Sequence, residues 1–371
     1  MSFVTLLLSP FNLLFFIIAI GFSVGKLRIQ RISLGISGIL FVAIMVGFLM
    51  YKFMLRESPE IISSAQSTMK IFSRLGSSLF VSVIGFQTGF SIDKKSKESV
   101  IALLIGALMS TSGVLTMLLI SSLDKTVSYS SLLGILSGAL TSTPGLSSVC
   151  DMIGVNVEEA TWGYGCAYPF GVVLVVLFSR LLSKKENENI DLPNSSYVAK
   201  SKFHIEFMLL CSVALLGNVV NNIEAMILGN TASTLFVGLI IGYVAKKTTK
   251  PNLISTRYLD AIKEVGLALF FAGTGFATGI QAISFNLKTV VYGLLITLTA
   301  LLVGWLICKV MSSSNHMIHN GFVIAGGMTS SPAYGALCGS ASEKYLNNFS
   351  FAYCGALLSL ILAIQIIGYI I

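Results

Sequence analysis

The chain has 371 residues, of which 54% are hydrophobic and only 11% charged, with a mean hydropathy of +0.86 and a formal net charge of +8. A soluble globular domain carries about 25% charged residues, so the composition excludes that class and points to an integral membrane protein. The basic residues fall between apolar segments, as they do in cytoplasmic loops, which removes the argument for nucleic acid that the net charge would otherwise make.

The first 25 residues lack a basic leading region and a small-residue cleavage site, so they read as a retained first helix. Apolar segments of bilayer-crossing length, about 17 to 25 residues, follow in order at 3–25, 33–51, 71–91, 99–122, 130–150 and 161–182. After a polar stretch they continue at 204–221, 231–245, 264–281, 289–311, 320–340 and 348–371. The fifth segment of each set is broken. GILSGALTSTPGLSSV, from Gly134 to Val149, returns as GFVIAGGMTSSPAYGAL, from Gly321 to Leu337, so that Thr329 stands 188 positions after Thr141 and Pro332 after Pro144. Each copy is a Gly-containing apolar run that stops at a Thr/Ser cluster and restarts at a proline. Thr143-Pro144 and Ser331-Pro332 read as N-cap followed by first helical residue. A helix that restarts inside a membrane aims unpaired N–H groups and the positive end of its dipole into the gap.

The repeat extends beyond the breaks. LFVAIMVG at 40–47 matches LFVGLIIG at 235–242, and RLGSSLFVSVIGFQTGF at 74–90 matches EVGLALFFAGTGFATGI at 264–280. If each broken segment enters and leaves on one side, each half makes five crossings, and an odd number inverts the second half relative to the first. With the loop after the first segment inside, 18 of the 24 Lys and Arg residues fall on the cytoplasmic side, as the positive-inside rule requires. Two full crossings in place of the breaks would instead move the basic linker at 183–203 outside. The expectation is an all-α polytopic membrane protein of two inverted repeats, residues 1–182 and 204–371. Each repeat has about five transmembrane helices plus one re-entrant segment, the linker is cytoplasmic, and both termini are external.

Thr141, Ser142, Thr143, Pro144 and Ser147 of the first break, with Thr329, Ser330, Ser331 and Pro332 of the second, form the candidate substrate site, flanked by Ser148 and Tyr334. Irregular backbone at membrane depth is tolerated only against protein or a water-filled cavity. GFQTG (85–89) and GTGFATG (273–279) have two compatible readings: small residues four apart that let helices pack closely, or site-lining stretches that contribute Gln87, Thr88, Thr274 and Thr278. Arg74 and Glu264 open the third segments as interfacial anchors, and Asp151, Glu158, Glu159 and Glu343 lie near the mouths. With no arginine read in mid-segment, recognition would rest on hydroxyls and half-helix N-termini, which suits a small anion or zwitterion. The six cysteines form no CxxC and read as packing residues, with neither a metal nor a disulfide. No GxSxG, HExxH or P-loop occurs, so the chain does not read as an enzyme.

At GALTSTPGL, GGMTSSPAYGAL and GYGCAYPFGVVLVVL (163–177) the sequence resembles the aspartate:alanine exchanger family, whose duplicated transport domain carries a Thr/Ser-x-Thr/Ser-Pro element in each half. The resemblance implies secondary transport of small amino acids or dicarboxylates, such as aspartate, alanine or succinate, by exchange or export across a bacterial inner membrane. It also implies a homodimer in which a moving core carries the site past a fixed scaffold, an elevator-type motion. By position the signature residues are Thr141, Thr143, Pro144, Tyr168, Pro169, Thr329 and Pro332. No cofactor is implied, and a coupling ion, Na+ or H+, is left open. Two departures stand out: only the linker occupies the place of the TrkA-C-like domains that many members carry between the halves, and Tyr353 is followed by Cys354 where Tyr168 is followed by proline. The competing reading is an ion or anion channel formed by the two half-helices.

Overall fold

A computed structural model describes residues 9–26, 28–29, 32–33, 36, 38–54, 59–91, 97–183, 203–221, 230–248, 256–280, 287–312, 320–330, 333, 337 and 343–370. Among them are thirteen helices and a two-residue hairpin pairing Arg28–Ile29 with Ile32–Ser33. The first half holds α1 (Pro10–Gly25), α2 (Gly38–Met54), α3 (Pro59–Ser91), α4 (Lys97–Leu123), α5 (Tyr129–Ala139), α6 (Thr143–Cys150) and α7 (Val157–Ser183). The second holds α8 (Phe203–Asn221), α9 (Asn230–Thr248), α10 (Thr256–Ile280), α11 (Leu287–Ser312), α12 (Asn320–Gly327) and α13 (Glu343–Ile370). Six of these, α3, α4, α7, α10, α11 and α13, are long and apolar enough to cross a membrane. The linker expected at 183–203 lies almost wholly outside the described residues.

Matched helices of the two halves run antiparallel. Gly76 of α3 and Gly266 of α10 each point the missing side chain at the other's carbonyl oxygen, while Gly273 lies against Met69 and Ser73. Phe80 and Phe270, equivalent in the repeat, bring their rings to 5.4 Å. Going up one helix is going down its counterpart, which is the inversion that the odd number of crossings requires.

The first broken segment is re-entrant. At 11 and 8 residues, α5 and α6 span only about 16 and 12 Å, each well short of a hydrocarbon core of about 30 Å. Gly134 and Gly138 of α5 lie against Ala160 and Tyr164 of α7 in that order, so the two helices run parallel and start on one face. Ser128, the N-cap of α5, donates its hydroxyl to Glu159 at the start of α7, and the Asn156 amide donates to Ser130 at 2.9 Å. Entry and exit are thus stitched together. On the same face Lys288 of α11 donates to Asp124 at 3.0 Å, just before α5.

Several helix starts differ from the sequence reading, among them α1 at Pro10 for an expected 3 and α10 at Thr256 for an expected 264, and the difference is largest at α3. The third segment was expected from residue 71, but α3 starts at Pro59 and runs for 33 residues. Its first turns carry Ser63, Gln66, Ser67 and Lys70, which lower the hydropathy of that stretch. They line a polar cavity, where lipid does not select against them.

The helices sort into two bodies, each drawing on both halves. The first three helices of each half, α1–α3 and α8–α10, pack on one another, with α3, α2, α9 and α10 forming the tightest contacts. The remaining helices form the second body, in which α13 packs on α4, α5 on α7, α11 on α4, and α12 on α13. Gly85 and Gly89 pack against α9, and their counterparts Gly275 and Gly279 pack against α2, so the structure shows close packing at both glycine patterns.

Candidate substrate site

The two breaks meet, and they are built alike. Helix α5 ends with Thr141 at φ +53°, and α12 ends with Thr329 at φ +48°. The amide of Ser142 donates to the carbonyl of Ser137 and that of Thr141 to Gly138, while Ser330 donates to Ala325 and Thr329 to Gly326. This is the bond pattern of a Schellman motif, in which the left-handed position usually holds glycine. A β-branched residue there is an outlier, and the left-handed conformation costs an L-residue roughly 1–2 kcal/mol.

The reason for threonine is the hydroxyl. Thr141 Oγ1 donates to the carbonyl of Met328 at 2.6 Å, and Thr329 Oγ1 donates to the carbonyl of Leu140 at 3.1 Å. Each break therefore satisfies a terminal carbonyl of the other in a buried setting. Glycine would suit the backbone and leave both carbonyls bare. Thr297 of α11 adds a donor to the Ala139 carbonyl at 2.9 Å.

The half-helix caps fall one residue earlier than the sequence reading put them. Ser142, not Thr143, is the N-cap of α6: its backbone is extended and its hydroxyl accepts the Gly145 amide at 3.1 Å. Thr143 is then the first helical residue and Pro144 the second, a shift that costs nothing because neither position needs a proline N–H. In the second copy the Ser330 hydroxyl accepts the Ala333 amide at 3.3 Å, the same bond at the matching position. Ser331, Pro332 and Tyr334 lie outside the described residues.

This shift changes which group is on offer. Thr141 and Thr329 are occupied with each other's breaks, and Ser142 is buried as a cap. Thr143 is half-buried, and its hydroxyl stands 3.2 Å from that of Tyr164. Tyr164 stacks on Tyr168 with ring centroids 5.1 Å apart and touches Phe271 of α10 at 6.2 Å. Tyr164 was not among the sequence candidates. Its position, one turn before the Tyr168-Pro169 pair on the same helix face, was the available signal.

Ser147, one turn along α6 from Thr143, reaches a polar cavity of about 890 Å³. A stripe of α3 lines one wall, with Lys70, Ser73, Arg74, Ser77 and Ser78; Asp151 and Glu158 lie on the opposite side. Arg74 was expected to be an interfacial anchor at a segment start. It sits instead well inside α3, on the wall of this cavity, and supplies the cation that the sequence reading had missed. The signal was the polar residues of α3 recurring every three or four positions, one helix face.

Three candidates are not at the breaks. Gln87 donates to Asp260 of α10 at 3.1 Å. Thr88 is buried near the same end of α3. Thr278 donates to the Thr274 carbonyl in its own helix at 2.8 Å and borders a separate apolar cavity of about 510 Å³ between α2, α7 and α10. A threonine facing a helix interior meets its hydroxyl's need by bonding the carbonyl four residues back, which commits its only donor within the helix.

Comparison with known proteins bears on this geometry. A family model described as a predicted permease membrane region, that of the Asp-Al_Ex family, matches residues 13–184 and again 207–369. Similar proteins include an uncharacterized transporter of Bacteroides fragilis, 32% identical over 200 residues, which are 51% of this chain and 32% of that protein. Another is an uncharacterized transporter of Geobacter sulfurreducens, 31% identical over 196 residues, 49% of this chain and 33% of that one. A third, from Desulfotalea psychrophila, is 32% identical over 173 residues, 46% and 29% of the two chains. The matched stretch thus spans about a third of each relative's length.

Proposed function

We propose, since this chain belongs to the aspartate–alanine exchanger (Asp-Al_Ex) permease family, that it is a secondary active transporter of small amino acids or dicarboxylates such as aspartate, alanine or succinate. It exchanges or exports them by alternating access of elevator type. The observation that carries this reading is the joined pair of breaks: two helix ends bonded to each other inside a membrane protein, with the Thr143 and Tyr164 hydroxyls beside them. Inverted repeats whose discontinuous helices meet near the midplane are the architecture of such carriers. The neighbouring cavity, with Lys70 and Arg74 facing Asp151 and Glu158, supplies both signs of charge for a carboxylate and an ammonium group.

Within this reading Thr141 and Thr329 hold the breaks together, Ser142 and Ser330 cap the half-helices, and Pro144 and Pro332 set the restarts. Thr143 faces the substrate and Ser147 borders the neighbouring cavity, with Ser331 taking the place of Thr143 in the second copy. The protein lies in a bacterial inner membrane as a homodimer, with termini and polar cavity on the external face and the linker inside. The body containing both breaks moves against the other.

Counterflow in proteoliposomes tests the proposal. With unlabelled aspartate, alanine or succinate inside and a labelled trace outside, at least one of the three accumulates, and Thr143→Val abolishes accumulation while the protein remains inserted. Absence of counterflow with all three, or unitary currents in a planar bilayer, would contradict it, the second in favour of the channel.

A further inference from the structure

Four hydrogen bonds between described residues join the two bodies at one place. Ser77 of α3 shares a hydroxyl–hydroxyl bond with Ser147 of α6, and Ser147 in turn meets the Thr231 hydroxyl at 2.8 Å. Thr231, in the first turn of α9, donates both its amide, at 2.7 Å, and its hydroxyl, at 2.5 Å, to one oxygen of Asp151. Asp151 caps the far end of α6. Helices α3 and α9 belong to one body and α6 to the other, so the chain Ser77–Ser147–Thr231–Asp151 crosses the boundary three times.

The carboxylate sits at a helix N-terminus, where the dipole and the free amides favour an anion. Part of the boundary is different in character. The Tyr164 ring lies on Phe271, and the apolar cavity between α2, α7 and α10 is lined by groups such as Phe41, Ile44, Phe48 and Phe170. Apolar surfaces slide with little penalty because their contacts are non-directional. Directional bonds to a carboxylate do not.

The repeat itself shows that this polar chain is one-sided. The offsets that align the two halves place Leu267 opposite Ser77, Ile36 opposite Thr231, Gly335 opposite Ser147 and Gly339 opposite Asp151. None of the four counterparts has a polar side chain. A device present in one copy and absent from the other favours one of the two states that an inverted repeat can adopt.

We propose that Ser77, Ser147, Thr231 and Asp151 form a latch that holds the moving body in the state with the polar cavity open, and that breaks and re-forms in each transport cycle. The proposal rests on the alternating-access reading above, but its test needs no substrate. A hydrogen bond to a charged group is worth enough to shift a two-state population by about ten- to a hundredfold.

Ser78, on the cavity wall beside Ser77, is the reporter. In a protein whose six cysteines are replaced, Ser78→Cys is labelled by a membrane-impermeant thiol reagent added to either side, with Lys125→Cys marking the face that carries the mouth of the first break. Ser78→Cys is expected to react from the face that Lys125→Cys marks. Adding Thr231→Val or Asp151→Asn slows that reaction about tenfold or more, and Thr231→Ser, which keeps the hydroxyl, restores it. Unchanged labelling in both Thr231→Val and Asp151→Asn overturns the latch, as does a rate slowed equally by Thr231→Ser. Counterflow failing while the labelling shift is present would strike the transport proposal and leave the latch standing.

Discussion

The two breaks have nearly the same backbone and very different surroundings. Thr141 and Thr329 share a left-handed conformation and exchange hydroxyl bonds across the repeat. A few residues further on, the first copy has Ser147 and Asp151 bound to the opposite body, where the second has Gly335 and Gly339 in sequence. The proposed site draws on what the two copies share, and the proposed latch on what only the first copy has. The left-handed threonines carry the same lesson from the energetic side. A conformation that costs roughly 1–2 kcal/mol persists because a buried carbonyl without a partner costs about 1–3 kcal/mol.

The sharpest way to break this comparison is to separate strain from hydrogen bonding at the symmetric pair. Thr141→Val and Thr329→Val keep the strained backbone and leave a carbonyl bare, so each should destabilise the detergent-solubilised protein by about 1–3 kcal/mol. Thr→Gly at the same positions relieves strain while losing the bond and should cost less than valine. Melting curves that rank glycine below valine would refute the account of why threonine stands there. The double valine variant should fall short of the sum of the two, since the pair acts as a unit.

A smaller effect is expected at the matched glycines of α3 and α10. A methyl on Gly76 would overlap the Gly266 carbonyl, and one on Gly266 would come within 2.8 Å of that of Gly76. Overpacking of this kind costs typically 1–3 kcal/mol, with partial relief if the helices part. Gly76→Ala and Gly266→Ala should therefore lower the melting temperature by similar amounts, and a marked difference between them would sharpen the limits of the symmetry.

The smallest effect belongs to Asp124, outside the spanning segments. Hydrogen bonds from the Thr126 side chain first, then from Tyr292, the Thr126 amide and Lys288, hold its carboxyl well below the usual carboxylate range. A depressed pKa stabilises the fold above the ordinary range and loses that contribution as pH falls below it. Asp124→Asn should thus lower the melting temperature slightly and equally at pH 7 and pH 5, with the gap closing only below about pH 4. A gap that opens on acidification would contradict the network's sign.

Much of this architecture was legible in the chain. The Thr-Ser-Thr-Pro and Thr-Ser-Ser-Pro breaks, their order and the odd number of crossings gave the inverted repeat, because a hydroxyl cluster and a proline in an apolar run are local signals. The caps were misplaced by one residue for an equally local reason: Ser142 and Thr143 both offer a hydroxyl, and proline fits the first or second helical position. What was hidden is tertiary. Nothing within several residues of Thr141 reveals that its hydroxyl will meet Met328. The polar face of α3 was obscured because a hydropathy average mixes the cavity side with the lipid side, and Arg74 was misread with it. Gln87, Thr88 and Thr278 lie on stretches whose packing partners the sequence does not name.

The most direct test of the central claim, that the joined breaks form the substrate site, is substrate-induced thermal stabilisation of the purified protein. Titrating aspartate, alanine and succinate, the account predicts that at least one raises the melting temperature of the unaltered protein in a saturable way. Thr143→Val should lose that shift, and Thr278→Val, which removes a hydroxyl bonded only to its own helix, should keep it. A shift that survives Thr143→Val and disappears in Thr278→Val would move the site away from the breaks and contradict the account.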